Sequence, residues 1–441
     1  MRITVVGLGY VVSVASAAFS SLGHDVVGVD ISYATVEAFR DGVLPIYEPG
    51  LNEVITESMQ NGNLRFSQIE NMDDSLGEIV VIATGTPTLS NGVSDLSQIK
   101  QSVAWSMELM PDEGIVLMKS TVPPGTGRMI KKELLQDTTL RYVANPEFLR
   151  EGKAVHDWFH PERIVIGGQS DAISLVKSLY RGIDAPFVET DITSAEMIKY
   201  ASNAFLATKI SYINEIASLC DKIAADIDDV AAGIGLDSRI GSSFLNAGVG
   251  FGGSCLPKDL QAFRRFAEDN DQAAEIMSAV TLVNDRQRLL PYKFLVSTFG
   301  SISGLRVAVL GLAFKPDTDD IRDAPSIDLI RALLGDGALV NAYDPRALMN
   351  SRDILREGLR FQESLSDCFH DVQAILIMTE WPEIVDYDWK CIADQASSGF
   401  VLFDGRNALN PDDMISYGFK YKGVGRGVLS MDDSERNNYL T

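Results

Sequence analysis

Residues 1–30 read MRITVVGLGYVVSVASAAFSSLGHDVVGVD. The β-branched run at 3–6 predicts a short strand, which ends at Gly7-Leu8-Gly9. A helical pattern over about 10–22 follows, and residues 25–29 predict a second strand that ends at Asp30. The segment is therefore a β-α-β unit of about 30 residues, which is the building block of doubly wound parallel sheets.

The glycines and the acidic residue of this unit resemble a dinucleotide-binding fingerprint. Gly7 permits the tight turn, Gly9 lets the backbone approach a pyrophosphate, and the following helix N-terminus supplies amides. Asp30 can accept hydrogen bonds from both ribose hydroxyls of NAD, and its charge would repel the extra phosphate of NADP. The pattern predicts NAD as the cofactor.

The fingerprint is incomplete, because Val12 stands where a third glycine normally allows close packing of helix on strand. We expect the valine to displace the first helix or force local repacking, and so to weaken NAD affinity without abolishing it. A Rossmann-like sheet with degraded nucleotide binding is the alternative.

Further apolar runs at 79–83, 114–119 and 163–166 alternate with helical stretches and extend the predicted sheet. Residues 194 to about 232 have a helical pattern throughout, as one long helix or two joined ones. Such a segment is typical of a spacer and dimerisation element, the alternative being a packing helix of the first domain. A second β-α-β unit follows, with strands at 305–312 and 338–343 around a helix at 326–334.

We therefore predict an α/β fold with two Rossmann-like doubly wound domains joined by a long central helical segment. The predicted divisions are an NAD-binding domain at 1–193, a central helical and dimerisation segment at 194–300, and a C-terminal nucleotide-sugar-binding domain at 301–441. The polar end of the chain from about Asp432 is expected to be frayed.

Composition excludes several classes of partner. The 441 residues are 46% hydrophobic and 22% charged, and the net charge of −23 disfavours nucleic acid and anionic membranes. Cys220, Cys255, Cys368 and Cys391 lack the spacing of zinc ligands, so we expect no metal and a reduced, cytoplasmic compartment. The sequence contains no run of 18 or more apolar residues, so we expect no transmembrane helix.

One cysteine lies in a glycine-rich loop, residues 250–259, which read GFGGSCLPKD. Lys258 and nearby backbone amides favour the thiolate form of Cys255, and the thiolate is the nucleophile. A catalytic cysteine is one interpretation. The other is a small buried apolar residue in a tight turn, as most unpaired cysteines are.

Six motifs in order give the chain a resemblance to the UDP-glucose/GDP-mannose dehydrogenase family, from residue 1 to about 425. They are GTP at 85–87, STVPPGT at 120–126, NPEFLREG at 145–152, KYASNAF at 199–205, the Cys255 loop, and GLAFKPDTDDIR at 311–322. Within the family the details are most similar to the members that oxidise UDP-glucose, on EGKAV at 151–155, PERIV at 161–165 and GLDSRIG at 235–241. Oxidation of GDP-mannose is the alternative.

The resemblance implies oxidation of a sugar C6 alcohol to a carboxylate with two NAD per turnover. Cys255 would add to the intermediate aldehyde, and the resulting thiohemiacetal would be oxidised to a thioester that is then hydrolysed. Lys199 and Asn203, four residues apart on a predicted helix, would stabilise the oxyanion at C6. By resemblance Glu147 is a general base, Thr121 binds water, and Asp259 orients or activates water.

Binding residues are carried over from the same resemblance. The cofactor candidates are Gly7, Gly9, Tyr10, Val11, Asp30, Thr86, Thr121, Glu151, Lys258 and Arg322. The substrate candidates are Glu147, Phe148, Leu149, Lys199, Asn203, Arg239, Phe244, Leu245, Asn246, Gly252, Lys315 and Arg406. The family offers an arginine at the position of Arg239 to the neighbouring subunit's site, so a homodimer with a nucleotide-sugar substrate is implied.

Two other classes of protein remain open. Thr35 stands where the family often has a lysine near the adenosine ribose, so with Val12 it also fits a nucleotide-sugar-binding protein with impaired NAD binding. A two-electron hydroxyacid dehydrogenase is a further possibility, but it has no use for the Cys255 loop or for a second nucleotide domain.

Overall fold

The computed structural model describes residues 1–44, 46–72, 76–89, 91–355, 358–394 and 400–427. The chain forms two compact units. The first unit comprises residues 1–202 and 261–272, and the second comprises residues 203–260 and 273–441.

The first unit is built on one sheet. Its strands are β1 (Arg2–Val6), β2 (Asp25–Asp30), β3 (Leu64–Gln68), β4 (Ile79–Ile82), β5 (Ile115–Met118), β6 (Arg141–Ala144), β7 (Ile164–Gly167) and β8 (Phe187–Thr190). They lie in the order β3-β2-β1-β4-β5-β6-β7-β8, in which the crossovers on either side of β1 give the doubly wound topology.

Helices connect these strands. They are α1 (Tyr10–Ser21), α2 (Tyr33–Arg40), α3 (Leu51–Gln60), a short 3-10 helix (Ile69–Asn71), α4 (Ser97–Leu109), α5 (Thr126–Glu133), α6 (Ala154–Phe159) and α7 (Ser170–Leu179). Because both faces of a parallel sheet must be covered, alternate strand residues face two separate cores. Ile79 and Val81 belong to the core that contains α1, and Val80 and Ile82 belong to the other.

One strand pair departs from the predicted parallel arrangement. β6 and β7 pair antiparallel, with Ala144 opposite Gly167, whereas β7 and β8 pair parallel. The chain between β6 and β7 carries the short helix α6, and because the two strands run in opposite directions their connection is not the right-handed crossover of a β-α-β unit. The first sheet is therefore mixed at this one junction.

The second unit begins within α8 (Ile192–Ile223) and contains a second sheet. Its strands are β9 (Arg306–Leu310), β10 (Leu339–Tyr343), β11 (Leu359–Phe361), β12 (Ala374–Ile377), β13 (Val401–Asp404) and β14 (Lys420–Gly423). They are parallel throughout and lie in the order β11-β10-β9-β12-β13-β14. The prediction of two Rossmann-like domains is confirmed.

The remaining helices are α9 (Ile227–Gly235), α10 (Leu256–Asp269), α11 (Glu275–Arg288), α12 (Leu290–Phe299), α13 (Pro325–Gly335), α14 (Leu348–Ile354), α15 (Leu365–Cys368), α16 (Pro382–Val385), α17 (Trp389–Ala393) and α18 (Pro411–Tyr417). The helical stretch predicted from 194 to about 232 forms two helices, α8 and α9. They are separated at Ala224, whose φ of 58° ends the first helix.

The two predicted boundaries between the three domains stay predictions, and the tail from Asp432 lies outside the described residues. None of the described helices combines the length and the hydropathy that a membrane span requires.

Candidate active site

The turn between β1 and α1 is open to a ligand. Gly7 has a φ of 91°, which glycine adopts without strain, and its N–H donates to Val29 O at 2.8 Å. Gly9 precedes α1 and is exposed, so that the helix N-terminus presents its amides to solvent. This geometry fits the pyrophosphate of a dinucleotide.

Asp30 lies at the end of β2, beside this turn. Its Oδ2 accepts a 2.7 Å hydrogen bond from Leu8 N, and its Oδ1 accepts one of 2.8 Å from Ser32 N. The residue is only half-buried, and each carboxylate oxygen has a second lone pair. Asp30 is therefore fixed by the backbone while keeping acceptor capacity for ribose hydroxyls.

The second sheet repeats this turn with a different outcome. Gly311 also has a φ of 91°, and its N–H donates to Tyr343 O. The counterpart of Asp30 is Asp344, which directly follows β10 and is only 1% exposed. Its carboxylate accepts from the backbone N–H groups of Leu312, Ala313, Arg346 and Ala347 and from the Trp381 indole. Because Asp344 is enclosed, only the first unit offers a ribose-binding carboxylate at this position of the Rossmann pattern among the described residues.

Val12, the departure from the fingerprint, is fully buried in the core of the first unit. The buried positions that follow it in α1 are largely alanine and serine, including Ala15, Ser16 and Ala18. Small side chains let the rest of the helix pack closely on the sheet. The expected loss of NAD affinity stays a prediction.

A buried glutamate that the sequence reasoning missed ties the turn to the candidate loop at 147–152. Glu48 accepts hydrogen bonds from Gly152 N at 2.6 Å and from Ala154 N at 2.7 Å, and the Tyr10 hydroxyl donates to the same carboxylate. Glu48 is 6% exposed. The only local signal is its place in the turn sequence YEPG at 47–50, because its partners lie 38 to 106 residues away.

Thr86 and Thr121 come together at the carboxyl ends of the neighbouring strands β4 and β5. Thr86 Oγ1 donates to Thr121 O at 3.0 Å, and Ser120 Oγ donates to Thr84 O at 2.7 Å. A cofactor candidate and a catalytic candidate are thus fixed against each other at the edge of the sheet where α/β proteins bind ligands.

Glu147 and Lys199 form a buried ion pair, with Nζ 3.2 Å from Oε1 and side chains 7% and 5% exposed. Glu147 Oε2 accepts from Leu149 N at 2.6 Å, and Lys199 Nζ lies 5.2 Å from the centre of the Phe148 ring. The arrangement places a carboxylate and an ammonium side by side, as general acid–base chemistry requires.

A cavity of about 10 Å³ lies beside this pair, large enough for one water molecule. It is lined by Met118, Ser120, Thr121, Val122, Ala144, Pro146, Glu196 and Lys199.

Cys255 is exposed and stands immediately before α10, where its carbonyl accepts from Asp259 N at 2.9 Å. A helix N-terminus favours the anionic form of a thiol. The loop before it needs glycines, because a Cβ on Gly252 would lie 2.2 Å from Asp323 O and one on Gly253 would lie 2.8 Å from the Phe314 ring. The alternative of a buried filler cysteine is wrong, because the thiol is at the surface of its unit.

Asp259 is held on both oxygens. Asn203 Nδ2 donates to its Oδ2 at 2.6 Å, and Lys258 Nζ donates to its Oδ1 at 2.6 Å. The carboxylate is 2% exposed, so both contacts are sheltered from water. Asn203, Lys258 and Asp259 therefore form one hydrogen-bonded cluster close in sequence to Cys255 through Lys258 and Asp259.

Three buried amides that the sequence reasoning missed hold the segment leading to Cys255; we call them the amide clamp: Asn214, Asn284 and Gln287. Asn214 accepts from Gly248 N at 2.9 Å, and Gln287 donates to Gly248 O at 2.8 Å. Asn284 accepts from Phe251 N at 2.8 Å and donates to Phe251 O at 3.1 Å. All three are at most 5% exposed, so their bonds fix the loop backbone.

The two cationic substrate candidates of the second sheet differ in their surroundings. Arg406 donates to Met378 O at 2.7 Å and to Phe314 O at 2.8 Å, so much of its guanidinium is used in holding loops. Lys315 Nζ lies 5.5 Å from the centre of the Phe314 ring and is half-buried.

Of the other carried-over residues, Val11 lies in α1, and Glu151, Arg239, Arg322 and the segment 244–246 lie in loops. Arg239 pairs with Asp237 at 2.6 Å and is 87% exposed, whereas Arg322 pairs with Asp320. In the segment 244–246, Phe244 and Asn246 are exposed and only Leu245 is buried, so this segment can offer backbone and side chains to a ligand. Val11 and Glu151 are half-buried.

The catalytic candidates thus form two groups, each assembled within one unit. The first unit contains Thr121, Glu147 and Lys199, and the second contains Asn203, Cys255 and Asp259.

Known proteins match the chain over nearly its whole length. Residues 1–184, 193–286 and 308–411 match, in turn, the NAD binding domain, the central domain and the UDP binding domain of the UDP-glucose/GDP-mannose dehydrogenase family. The chain belongs to this family. The resemblance inferred from the sequence is confirmed, and with it an oxidoreductase that uses NAD and binds a nucleotide sugar.

Individual members of the family are also similar. UDP-glucose 6-dehydrogenase YwqF of Bacillus subtilis is 39% identical, over 97% of this chain and 98% of that protein. A UDP-glucose dehydrogenase structure from Pyrobaculum islandicum has a TM-score of 0.89 at 36% identity, covering 96% of this chain and 98% of that one. A GDP-mannose dehydrogenase structure from Pseudomonas aeruginosa has a TM-score of 0.52 at 27% identity, covering 96% of this chain and 100% of that one.

In this dehydrogenase the family's central domain contains Lys199, Asn203, Cys255 and Asp259, and its NAD binding domain contains Gly7, Asp30 and Glu147 among the candidates. The UDP binding domain contains Lys315, Arg322 and Arg406.

Proposed function

We propose that this protein oxidises the C6 alcohol of UDP-glucose to the carboxylate of UDP-glucuronate, using two NAD per turnover. The substrate is assigned from the likeness to UDP-glucose dehydrogenases. In sequence identity and in TM-score this likeness is greater than the likeness to the GDP-mannose dehydrogenase.

Bound NAD accepts the hydride in each of the two oxidations. The groups that would meet the C6 oxygen are Lys199 and Asn203, one turn apart on α8. The ammonium of Lys199 stabilises negative charge on that oxygen, and Asn203, whose amide has a second N–H beyond the one given to Asp259, donates to it.

Cys255 captures the aldehyde produced by the first oxidation. Its sulfur forms a bond to C6, and the carbonyl oxygen takes up a proton to give a thiohemiacetal. The second oxidation converts this adduct to a thioester. Exposure of the thiol at the start of α10 supports this role, because a nucleophile must reach its substrate.

Hydrolysis of the thioester needs a base and a held water. Glu147 is the base that this proposal assigns, since its carboxylate pairs with Lys199, and Lys199 lines the water-sized cavity together with Thr121. Glu147 takes a proton from the water that adds to C6, the C6–sulfur bond breaks, and the proton passes to the departing Cys255 thiolate.

A substrate panel tests the proposal. Purified protein with NAD should form NADH with UDP-glucose at a kcat/KM at least about 100-fold above that with GDP-mannose. Tight binding of UDP-glucose without NADH formation would instead support the alternative function, a nucleotide-sugar-binding protein with impaired NAD binding. Val12 and Thr35 are the residues that favour this alternative. Thr35 bonds to Ser32 at the start of α2, where its hydroxyl lies 2.9 Å from Ser32 Oγ.

We further propose that the enzyme is a homodimer through α8. Phe205, Tyr212, Leu219 and Ile223 are spaced seven, seven and four residues apart, hence on one side of the helix, and each is more than half exposed. The double variant Phe205→Asp/Leu219→Asp should elute as a monomer in size-exclusion chromatography with light scattering, and a wild-type monomer would contradict the proposal.

A cytoplasmic location is part of the proposal. The exposed thiols of Cys255 and Cys391 suit a reducing compartment, which also supplies NAD.

A further inference from the structure

Lys119 is a buried cation outside the groups assigned so far. It follows β5, its residue exposure is 3%, and its Nζ donates to Asn145 O at 3.3 Å, Asn145 Oδ1 at 3.1 Å and the Tyr180 hydroxyl at 3.1 Å. The same Nζ lies 4.9 Å from the centre of the Trp158 ring. Within the described part of the chain its direct partners are neutral groups, and no carboxylate forms an ion pair with it.

An ammonium in such surroundings is unfavourable for the fold, because it gives up water and gains no counter-charge at contact distance. Burial lowers the pKa of Lys119 to about 7, with the Glu147 carboxylate opposing the shift and the Lys199 ammonium adding to it. Lys119 is therefore within electrostatic reach of the Glu147–Lys199 pair. A residue retained at this cost to the fold calls for a role in the site.

The contacts of Asn145 connect Lys119 to the segment that carries Glu147. Asn145 Oδ1 also accepts from the Tyr180 hydroxyl at 2.5 Å, its Nδ2 donates to Val165 O at 2.8 Å, and its N–H donates to Met118 O at 2.8 Å. Asn145 is 1% exposed, and each of its nitrogen and oxygen atoms has a hydrogen-bond partner. Since Glu147 lies two residues beyond Asn145, a fixed Asn145 fixes the start of the loop that carries the base.

Lys119 also lies two residues before Thr121. Its N–H donates to Ile82 O at 2.8 Å, which anchors the segment that lines the water-sized cavity. One buried side chain therefore joins the segment that holds Thr121 to the segment that holds Glu147.

We propose that Lys119 is a positioning residue for thioester hydrolysis, which holds in place the segment that carries the base Glu147. The proposal rests on the function proposed above. It assigns Lys119 no contact with substrate and no part in either oxidation.

The test uses Lys119→Met and Lys119→Gln, which remove the charge with little change of volume, and Lys177→Met as the matched control. Lys177 is a surface lysine of the same unit, paired with Glu189. Both Lys119 variants should fold, with a Tm equal to or above that of wild type, because apolar or neutral replacement of an uncompensated buried charge is neutral or stabilising.

In rapid mixing with UDP-glucose and NAD, both variants should release a burst of about two NADH per active site at the wild-type rate, since neither oxidation needs Lys119. Steady-state turnover should then be at least about tenfold slower than wild type, with a KM for UDP-glucose within about twofold. Intact-protein mass spectrometry of the quenched steady state should show a sugar-nucleotide acyl adduct on Cys255. Lys177→Met should match wild type in each measurement.

Three results would overturn the assignment: unchanged steady-state turnover in both folded variants, burst and turnover lowered by the same factor, or unfolding of both variants, which would make Lys119 a structural residue. A wild-type protein that forms no NADH from UDP-glucose would instead refute the proposed function itself, so the two failures are distinguishable.

Discussion

Asn203 on α8 donates a 2.6 Å hydrogen bond to Asp259 on α10, and Lys258 binds the other oxygen of the same carboxylate. A single buried charge thus orients both an amide proposed to bind the C6 oxygen and the first turn after Cys255. This carboxylate therefore fixes the geometry of the proposed site.

Replacing Asp259 by asparagine should therefore lower activity while leaving the fold intact. Asp259→Asn removes the charge that binds Lys258 and presents an N–H group to Asn203 or Lys258. We expect kcat to fall by about 100-fold, with a KM for UDP-glucose within about threefold of wild type. Steady-state kinetics check this, with Asp269→Asn, at the exposed end of α10, as the control. A variant impaired only in KM would make Asp259 a substrate-binding residue.

The amide clamp predicts that a residue without substrate contact controls Cys255. Asn284→Ala leaves the N–H and C=O of buried Phe251 without partners, which should destabilise the protein by about 2 kcal/mol. Because the loop loses its fixed path, kcat should fall by about tenfold and the rate of Cys255 alkylation by iodoacetamide should change. The control is Asn270→Ala, which removes a hydrogen bond from the Asn270 side chain to Phe266 O at the exposed end of α10. Lower stability with unaltered kcat and alkylation would limit Asn284 to a structural role.

Val12 predicts opposite effects on cofactor binding and on stability. Val12→Gly restores the fingerprint and should tighten NAD binding by at least about threefold. It also removes a fully buried side chain from a helix and should lower the free energy of unfolding by about 3 kcal/mol. Calorimetric NAD titration and urea unfolding measure the two effects, and Val14→Ala in the same helix should affect stability alone. An unchanged, micromolar NAD affinity in Val12→Gly would show that the valine does not weaken the site.

Glu196 predicts a pH-dependent term in stability. Its carboxylate accepts from Gly125 N and Gly127 N, each at 2.7 Å. Burial nevertheless raises its pKa from 4.5 to about 7. The pKa of Glu196 is higher in the folded state than in the unfolded state. The contribution of Glu196 to stability is therefore complete below pH 4.5 and is lost as the pH rises through about 7.

Glu196→Gln cannot ionise and should lack this loss. Its free energy of unfolding relative to wild type should therefore be higher at pH 8 than at pH 5, by about 3 kcal/mol, as measured by urea unfolding. The exposed Glu133, changed to glutamine, should show no such difference. If the free energy of unfolding depends on pH in the same way for Glu196→Gln and wild type, the hydrogen bonds from Gly125 N and Gly127 N offset the effect of burial on the Glu196 pKa.

The sequence was sufficient for what local patterns encode. The turn at Gly7 and Gly9, the strand end at Asp30 and the second turn at Gly311 could be read from runs of β-branched residues and glycines. The antiparallel pairing of Ala144 with Gly167 could not, because strand direction depends on how the intervening chain returns to the sheet.

The supporting residues were missed for a related reason. Glu48, Asn284 and Lys119 bond to groups 26 to about 100 residues away, so no local pattern distinguishes them from surface polar residues. Single positions such as Cys255 and Lys199 could be named because they stand in motifs, whereas the contacts that hold them exist only in the folded chain.

The central claim is a four-electron oxidation that passes through Cys255. It is tested most directly by the yield of NADH from a limiting amount of UDP-glucose with NAD in excess, with the sugar product identified by mass spectrometry and Cys255→Ser run in parallel. We expect two NADH and one UDP-glucuronate for each UDP-glucose in the wild type, and no sustained turnover in the serine variant. One NADH per UDP-glucose with release of the aldehyde, or full turnover without the thiol, would contradict it.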